Sequence, residues 1–181
     1  MAVVKPFKAV RPTPELVSQV AALPYDVMDT KEAIDYVKGN PYSFMRIDRA
    51  EMSFPEGSDP YAQAVYEEAS KKLHQMKVDG VYIQDEKPCY YIYRQVMNGR
   101  AQIGIVGCAS VDDYMNNVVK KHELTLAKKE DDRCNHVDIC NANTGPIFLT
   151  YKSNDAINEV VRDTMEKHEP VYDFVGDNVQ Q

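Results

Sequence analysis

Apolar residues recur along the chain with two different periods, and each period marks a different kind of element. The clearest is helical. Ala62, Val65, Ala69, Leu73 and Met76 follow one another at spacings of three or four, which predicts one buried stripe on a helix opened by Asp59-Pro60 and closed by Gly80. Period two governs residues 89–97 and 100–108, rich in Tyr, Ile and Val, and Asn98-Gly99 between them suits a tight hairpin turn. This hairpin is expected in the core of a sheet.

Shorter signals fill the rest. Residues 3–10 predict an edge strand carrying Pro6. Thr13-Pro14 marks a helix start with Leu16, Val17, Val20 and Ala21 on its apolar face. A second helix is expected from Asp29 or Thr30 to Val37, stopped by Gly39-Asn40-Pro41, and residues 43–47 read as a strand running into Asp48-Arg49. Downstream, residues 112–117 read as a turn or helical turn, a helix starts near Thr125, and residues 147–151 form a buried strand. Asn154 or Asp155 caps a helix carrying Ile157, Val160, Val161 and Met165, and residues 170–175 give a last strand. This order predicts an α/β domain, with α+β as the alternative. It has a mixed sheet, a central hairpin over 89–108 and flanking helices, in a single domain spanning 1–181.

Composition narrows the classes. The 181 residues carry 28 Asp+Glu against 21 Lys+Arg, a net charge of -7 that argues against general nucleic-acid binding. No apolar run approaches the ~18 residues of a membrane span, and the first residues lack a signal-peptide core, so a cytoplasmic protein is expected. Cys89, Cys108, Cys134 and Cys140 contain no CxxC pair and are too sparse for a disulfide scaffold, which agrees with a reducing compartment.

The densest run of reactive side chains lies at residues 120–133. Lys120, Lys121, His122 and Glu123 precede Thr125, a candidate N-cap, and Lys128, Lys129, Glu130, Asp131, Asp132 and Arg133 follow on the helix. Helical spacing puts Leu126, Glu130, Arg133 and Val137 on one face. Glu130 and Arg133 must then be paired or line a cleft, because an unpaired buried charge is too costly. Free backbone N–H groups at the helix start, beside two lysines and Arg133, suit an anionic ligand. The same run also suits a solvated face held by i,i+3 and i,i+4 pairs. Both readings stand.

Other chemistry is thinner. His122-Glu123 is not a metalloprotease motif, since position 126 is Leu. Cys134, His136, Asp138 and Cys140 would share a face on a strand, with side chains suited to zinc, but diverge on a helix; no metal site is expected. Tyr25-Asp26 sits in a proline turn, and Arg46 and Asp48 would face the same way on a strand, as a structural pair or as part of a site. GxSxG, GxGxxG and kinase signatures do not occur, and Asn143-Thr144-Gly145-Pro146 is too short for a Walker-type loop. The residues by themselves specify an acidic α/β domain with a polar cluster around Glu123.

Longer motifs carry a resemblance. Leu-Pro-Tyr-Asp-Val (23–27), Asn-Pro-Tyr-Ser-Phe (40–44), Arg-Ile-Asp-Arg (46–49) and Asp-Pro-Tyr (59–61) form its N-terminal part. Lys-Lys-His-Glu-x-Thr (120–125), Lys-Glu-x-Asp-Arg (129–133) and Thr-Gly-Pro-Ile-Phe-Leu-Thr-Tyr (144–151) continue it. Together they resemble the uncharacterised bacterial family catalogued as domain of unknown function 1015, often found beside serine-biosynthesis genes. Members of that family are longer and carry an Asp-Gly-His-His-Arg motif beyond the point where this chain ends. The resemblance thus implies the N-terminal portion of a longer protein. That motif in turn resembles the phosphate-handling box of the ParB/sulfiredoxin-like superfamily, which includes free-serine kinases. In those kinases a His-Glu pair supplies a catalytic Glu, and the matching pair here is His122-Glu123.

The resemblance implies an intact protein that is a nucleotide-dependent phosphotransferase acting on a small hydroxyl compound such as serine. Glu123 would be the general base and His122 would orient it. Lys121, Lys129 and Arg133 would hold phosphates or a carboxylate, with Glu130, Tyr25, Asp26, Arg46 and Asp48 around them. ATP or ADP with Mg²⁺ would be the cofactors of the full-length protein; the present chain alone would need none and be inactive. The alternative is a non-catalytic module that senses a nucleotide or amino acid, and a dimerising scaffold is the third reading. The expected partner is a small-molecule ligand, with a homodimer as the assembly considered and neither nucleic acid nor membrane. A functional cluster requires Glu123 and His122 at the rim of a concave site, Arg133 and Glu130 beside it, and Arg46, Asp48 or Tyr25-Asp26 approaching it.

Overall fold

Apolar stripes on short helices, rather than a large sheet, gather the core. The computed structural model describes residues 2–122, 125–176 and 179–180. Seven helices are described: α1 (Val17–Val20), α2 (Thr30–Tyr36), α3 (Met45–Asp48), α4 (Gln63–Val78), α5 (Val111–Met115), α6 (Ala127–Cys140) and α7 (Asp155–Lys167), with a 3₁₀ turn at Ala50–Ser53. The strands are β1 (Val4–Lys5), β2 (Val10–Pro12), β3 (Tyr82–Gln84), β4 (Tyr91–Met97), β5 (Arg100–Val106), β6 (Cys108–Ala109), β7 (Val175–Gly176) and β8 (Val179–Gln180). They pair as β1-β6, as β2-β3 and as a four-stranded sheet in the order β5-β4-β8-β7; every pairing among the described residues is antiparallel. The α/β class expected from the sequence is the class observed. No helix among the described residues is long and apolar enough to cross a membrane.

Helix α4 shows how sequence becomes fold. Its stripe buries Val65, Tyr66, Ala69, Leu73 and Met76. It ends in a Schellman motif: Gly80 takes φ +73°, its N–H reaches Lys77, and the Val81 N–H reaches Met76. That geometry drops Val81 back onto Met76, both almost fully buried. Around them gather Val20, Ile47, Ala50, Ala69 and Cys140, and a smaller cluster of Ala33, Val37 and Met45 lies alongside. Helix α2 is fixed at its start by a capping box, Asp29 accepting from the Glu32 N–H and Glu32 from the Asp29 N–H.

Two expected strands are corrected. Residues 43–47 are not extended; Met45–Asp48 is one helical turn. The alternation that suggested a strand is present in the burial of Ser43, Met45 and Ile47. It arises because the turn is wedged between two clusters, Met45 entering one and Ile47 the other. Arg46 and Asp48 therefore do not share a strand face. Residues 147–151 are neither a strand nor buried, with Ile147 76% and Phe148 74% exposed. An apolar run without a partner strand has no ladder to join, and period alone cannot supply one.

The hairpin forms in the expected register, with Met97 opposite Arg100 and positive φ at both Asn98 and Gly99. Its arms are not core, however: most of β5 is exposed. Helix α7 takes its expected Asn154 cap, yet none of its residues is buried. The strand expected over 170–175 contracts to β7, and the first strand splits into β1 and β2. A polar clasp joins these parts: Arg11 bridges Asp85 at 2.9 Å and donates to the Tyr172 hydroxyl, which in turn donates to the Pro12 carbonyl.

The corrected segments give opposite mutational outcomes. Ile47→Ala is expected to cost about 2–5 kcal/mol in denaturant unfolding, the cost of emptying a packed core site. Ile147→Ala should stay within about 0.5 kcal/mol of the parent.

Candidate functional site

Helix α6 is where the polar groups meet. Its buried residues are Asp132, His136 and Cys140, one helical stripe at i, i+4 and i+8. The expected inward face of Leu126, Glu130, Arg133 and Val137 is corrected: Leu126 is 73% exposed and Glu130 is exposed. Asp132 can enter because its partners come with it. The Tyr66 hydroxyl donates to its Oδ1 at 3.0 Å, and Arg133 donates to its Oδ2 through Nε at 3.0 Å and Nη2 at 2.9 Å. Burial, then this bond to Asp132, pushes the Tyr66 phenol up to about 12. His136 donates from Nε2 to the Ile47 carbonyl at 3.1 Å, and the Thr144 hydroxyl caps its Nδ1 at 3.2 Å, which fixes the tautomer. Burial holds the His136 pKa below its ordinary value. Helix start and cap differ slightly from expectation: Leu126, not Thr125, occupies the N-cap, without a side-chain bond.

Docking α6 against α3 and α4 opens a cleft of about 270 Å³. Tyr25 and Asp26 line it from the proline turn, Asp48, Arg49 and Glu51 from α3 and the 3₁₀ turn, and Lys129, Asp132, Arg133 and His136 from α6. Tyr61 and Tyr66 close the side formed by α4 and the turn before it. Arg133 stacks over the Tyr25 ring, its Cζ 4.6 Å from the centroid, and Lys129 Nζ lies 5.6 Å from the same ring. Lys128 sits 4.2 Å over Tyr61. Asp48 has its carboxyl pushed up to about 6, because desolvation outweighs the attraction of Arg133.

Of the residues singled out from sequence, Tyr25, Asp26, Asp48, Lys129 and Arg133 come together in this cleft. Arg46 does not: it donates to the carbonyls of Asn40 and Val37, both at 2.8 Å, and closes the end of α2. Lys121 lies 4.7 Å over Tyr114, and His122 and Glu130 are exposed and do not line the cleft. Glu123 lies outside the described residues. Sequence reasoning missed Arg49, Glu51, Tyr61, Tyr66, Asp132 and His136 as lining groups. For Asp132 and His136 a signal existed, since their spacing of four continues to Cys140. Because α6 is helical, Cys134 and Asp138 point away from His136 and Cys140, and the zinc pattern does not assemble. A larger groove of about 460 Å³ between β5 and α7 is mostly apolar, with Ile103, Ile105, Val161 and Met165 along it, and lacks such a convergence.

The chain belongs to the family described as protein of unknown function (DUF1015), which it matches over residues 4–181. No curated protein and no solved structure matches it.

Asp48 ties the cleft to stability. A carboxyl whose folded pKa is raised favours the fold while protonated. Its contribution is therefore complete below the ordinary 3.8 and is lost as pH rises through about 6. At pH 8 the charge costs at most ~3 kcal/mol, less where water enters the cleft mouth. Asp48→Asn is expected to raise the melting temperature by about 4–8 °C at pH 8 and to leave it unchanged at pH 4. A gain independent of pH would contradict the assignment.

Proposed function

We propose that the cleft binds a small anionic hydroxyl compound of amino-acid size, serine or a derivative being the class suggested by the family resemblance. In the intact protein it would form the acceptor side of a phosphoryl transfer to that hydroxyl. The observation that carries this reading is the meeting, in one small cleft, of a carboxyl raised to about 6 and an arginine stacked on tyrosine. Asp48 is ionised at neutral pH yet more basic than a free carboxylate, which suits it to accept the hydroxyl proton. Arg133 and Lys129 supply positive charge for a carboxylate or for phosphoryl oxygens, and such transfer is mostly positioning and charge stabilisation. In this reading Asp48 takes the role that the superfamily analogy gives to Glu123. A cytoplasmic setting suits the exposed free thiols Cys89, Cys108 and Cys134.

The nucleotide and Mg²⁺ implied by the ParB/sulfiredoxin-like resemblance would serve the donor side of the transfer in the intact protein. The cleft would take the acceptor, and no step runs through the nucleotide. One observation favours a second, non-catalytic reading as a sensor: two of the three Arg133 nitrogens are already committed to Asp132, a fixed electrostatic frame that suits binding without turnover.

Calorimetry of this chain with serine, O-phosphoserine, related hydroxy acids and nucleotides tests the reading. Saturable binding of a small anionic hydroxyl compound is expected, weakened at least about tenfold by Arg133→Ala, the worth of a charge-assisted hydrogen bond. The intact protein given ATP or ADP, Mg²⁺ and that compound should form its phosphate ester, and Asp48→Asn should abolish turnover while keeping binding. Binding without product supports the sensor. Absence of binding across the panel contradicts both.

A further inference from the structure

We propose that Arg49 is the positioning residue of the cleft: it holds the turn around residues 25–30 so that the Tyr25 ring lies against Arg133. Arg49 lines the cleft with four of its five N–H donors already engaged by the protein. Nε donates to Glu51 at 2.5 Å, Nη1 to the carbonyls of Tyr25 at 2.9 Å and Met28 at 2.6 Å, and Nη2 to the Thr30 hydroxyl at 2.9 Å. The turn it grips is otherwise anchored at its ends, by Leu23 and Met28 packed on the Ala33, Val37 and Met45 cluster and by the Asp29 capping box. Its own backbone contributes one long bond, Val27 to the Pro24 carbonyl at 3.3 Å, before α2 begins. A lysine cannot replace this fork, since its ammonium is a point charge without the planar spread of donors.

The consequence passes from Arg49 to Tyr25, from the Tyr25 ring to Arg133, and from the Arg133 charge to the Asp48 carboxyl. The second arginine of Arg-Ile-Asp-Arg thereby differs in task from the first, Arg46, which closes α2. For its functional meaning this rests on the reading of the cleft as a ligand site; its geometry does not.

The test is a ¹³C carboxyl NMR titration of Asp48 in the 181-residue chain, with no ligand present. Asp48 also faces Tyr82 from β3 and Cys140 from α6, and burial raises the pKa of both, so neither gains charge near pH 6. Arg49→Lys is expected to raise the Asp48 midpoint by about half a pH unit, a roughly threefold change in proton affinity, as Arg133 keeps its Asp132 bonds but loses the Tyr25 ring on its other side. Tyr25→Ala leaves the backbone carbonyls that Arg49 grips and should produce the same shift, so an unchanged midpoint there breaks the chain even if Arg49→Lys does not fold. Arg46→Lys should leave the midpoint in place. An unchanged midpoint in a folded Arg49→Lys or Tyr25→Ala protein overturns the proposal. Titration with inorganic phosphate forms a separate arm: weaker binding in Arg49→Lys supports the proposal. Failure of the parent protein to bind phosphate weighs against the ligand-site reading and leaves the NMR result to decide Arg49.

Discussion

Asp132 and His136 enter the interior from one face of α6, and that helix can dock only because each finds its partners there. Tyr66 on α4 meets Asp132, and the Ile47 carbonyl on α3 meets His136. A hydrogen bond to a charged group is worth about 1.5–3 kcal/mol, and stripping one partner leaves the other buried and unsatisfied. These contacts do more than add stability. They set the rotation of α6, and with it the placement of Arg133 and Lys129 over Tyr25.

The same docking leaves Asp48 poorly solvated at the base of a charged cleft. A helix face of leucines would have packed without that penalty, so the polar stripe is costly as a device for stability alone. It makes sense where a shaped, electrostatically fixed cavity is the product. Arg49 extends the logic into the loop. Irregular backbone between the proline turn and the Asp29 capping box is gripped by one guanidinium from an adjacent helix end.

Much of this was legible in the sequence, and the failures have physical causes. The α4 stripe, the helix start at Asp29 or Thr30, the Asn98-Gly99 hairpin and the Asn154 cap are local features, governed by period and by turn chemistry within a few residues. Residues 43–47 misled because a single turn between two clusters buries alternate side chains as a strand would. Ile147 and Phe148 misled because hydrophobicity reports what a segment could bury, and not whether a partner lies beside it. Of the groups lining the cleft, Tyr25, Asp26, Lys129 and Arg133 stood out by charge and turn motifs, and Asp48 by a strand face that the helical turn does not have. Asp132, His136 and Arg49 were missed because their roles depend on Tyr66, Ile47 and Tyr25, contacts that bring together residues tens of positions apart.

The state of His136 tests the docking of α6 most directly. Long-range ¹⁵N–¹H NMR of the imidazole should find it locked as the Nε2–H tautomer, with Nδ1 an acceptor and a midpoint below the ordinary ~6.5. A ring exchanging freely between tautomers and titrating at or above ~6.5 would place His136 in water. The cleft built on its docking would then not exist as described.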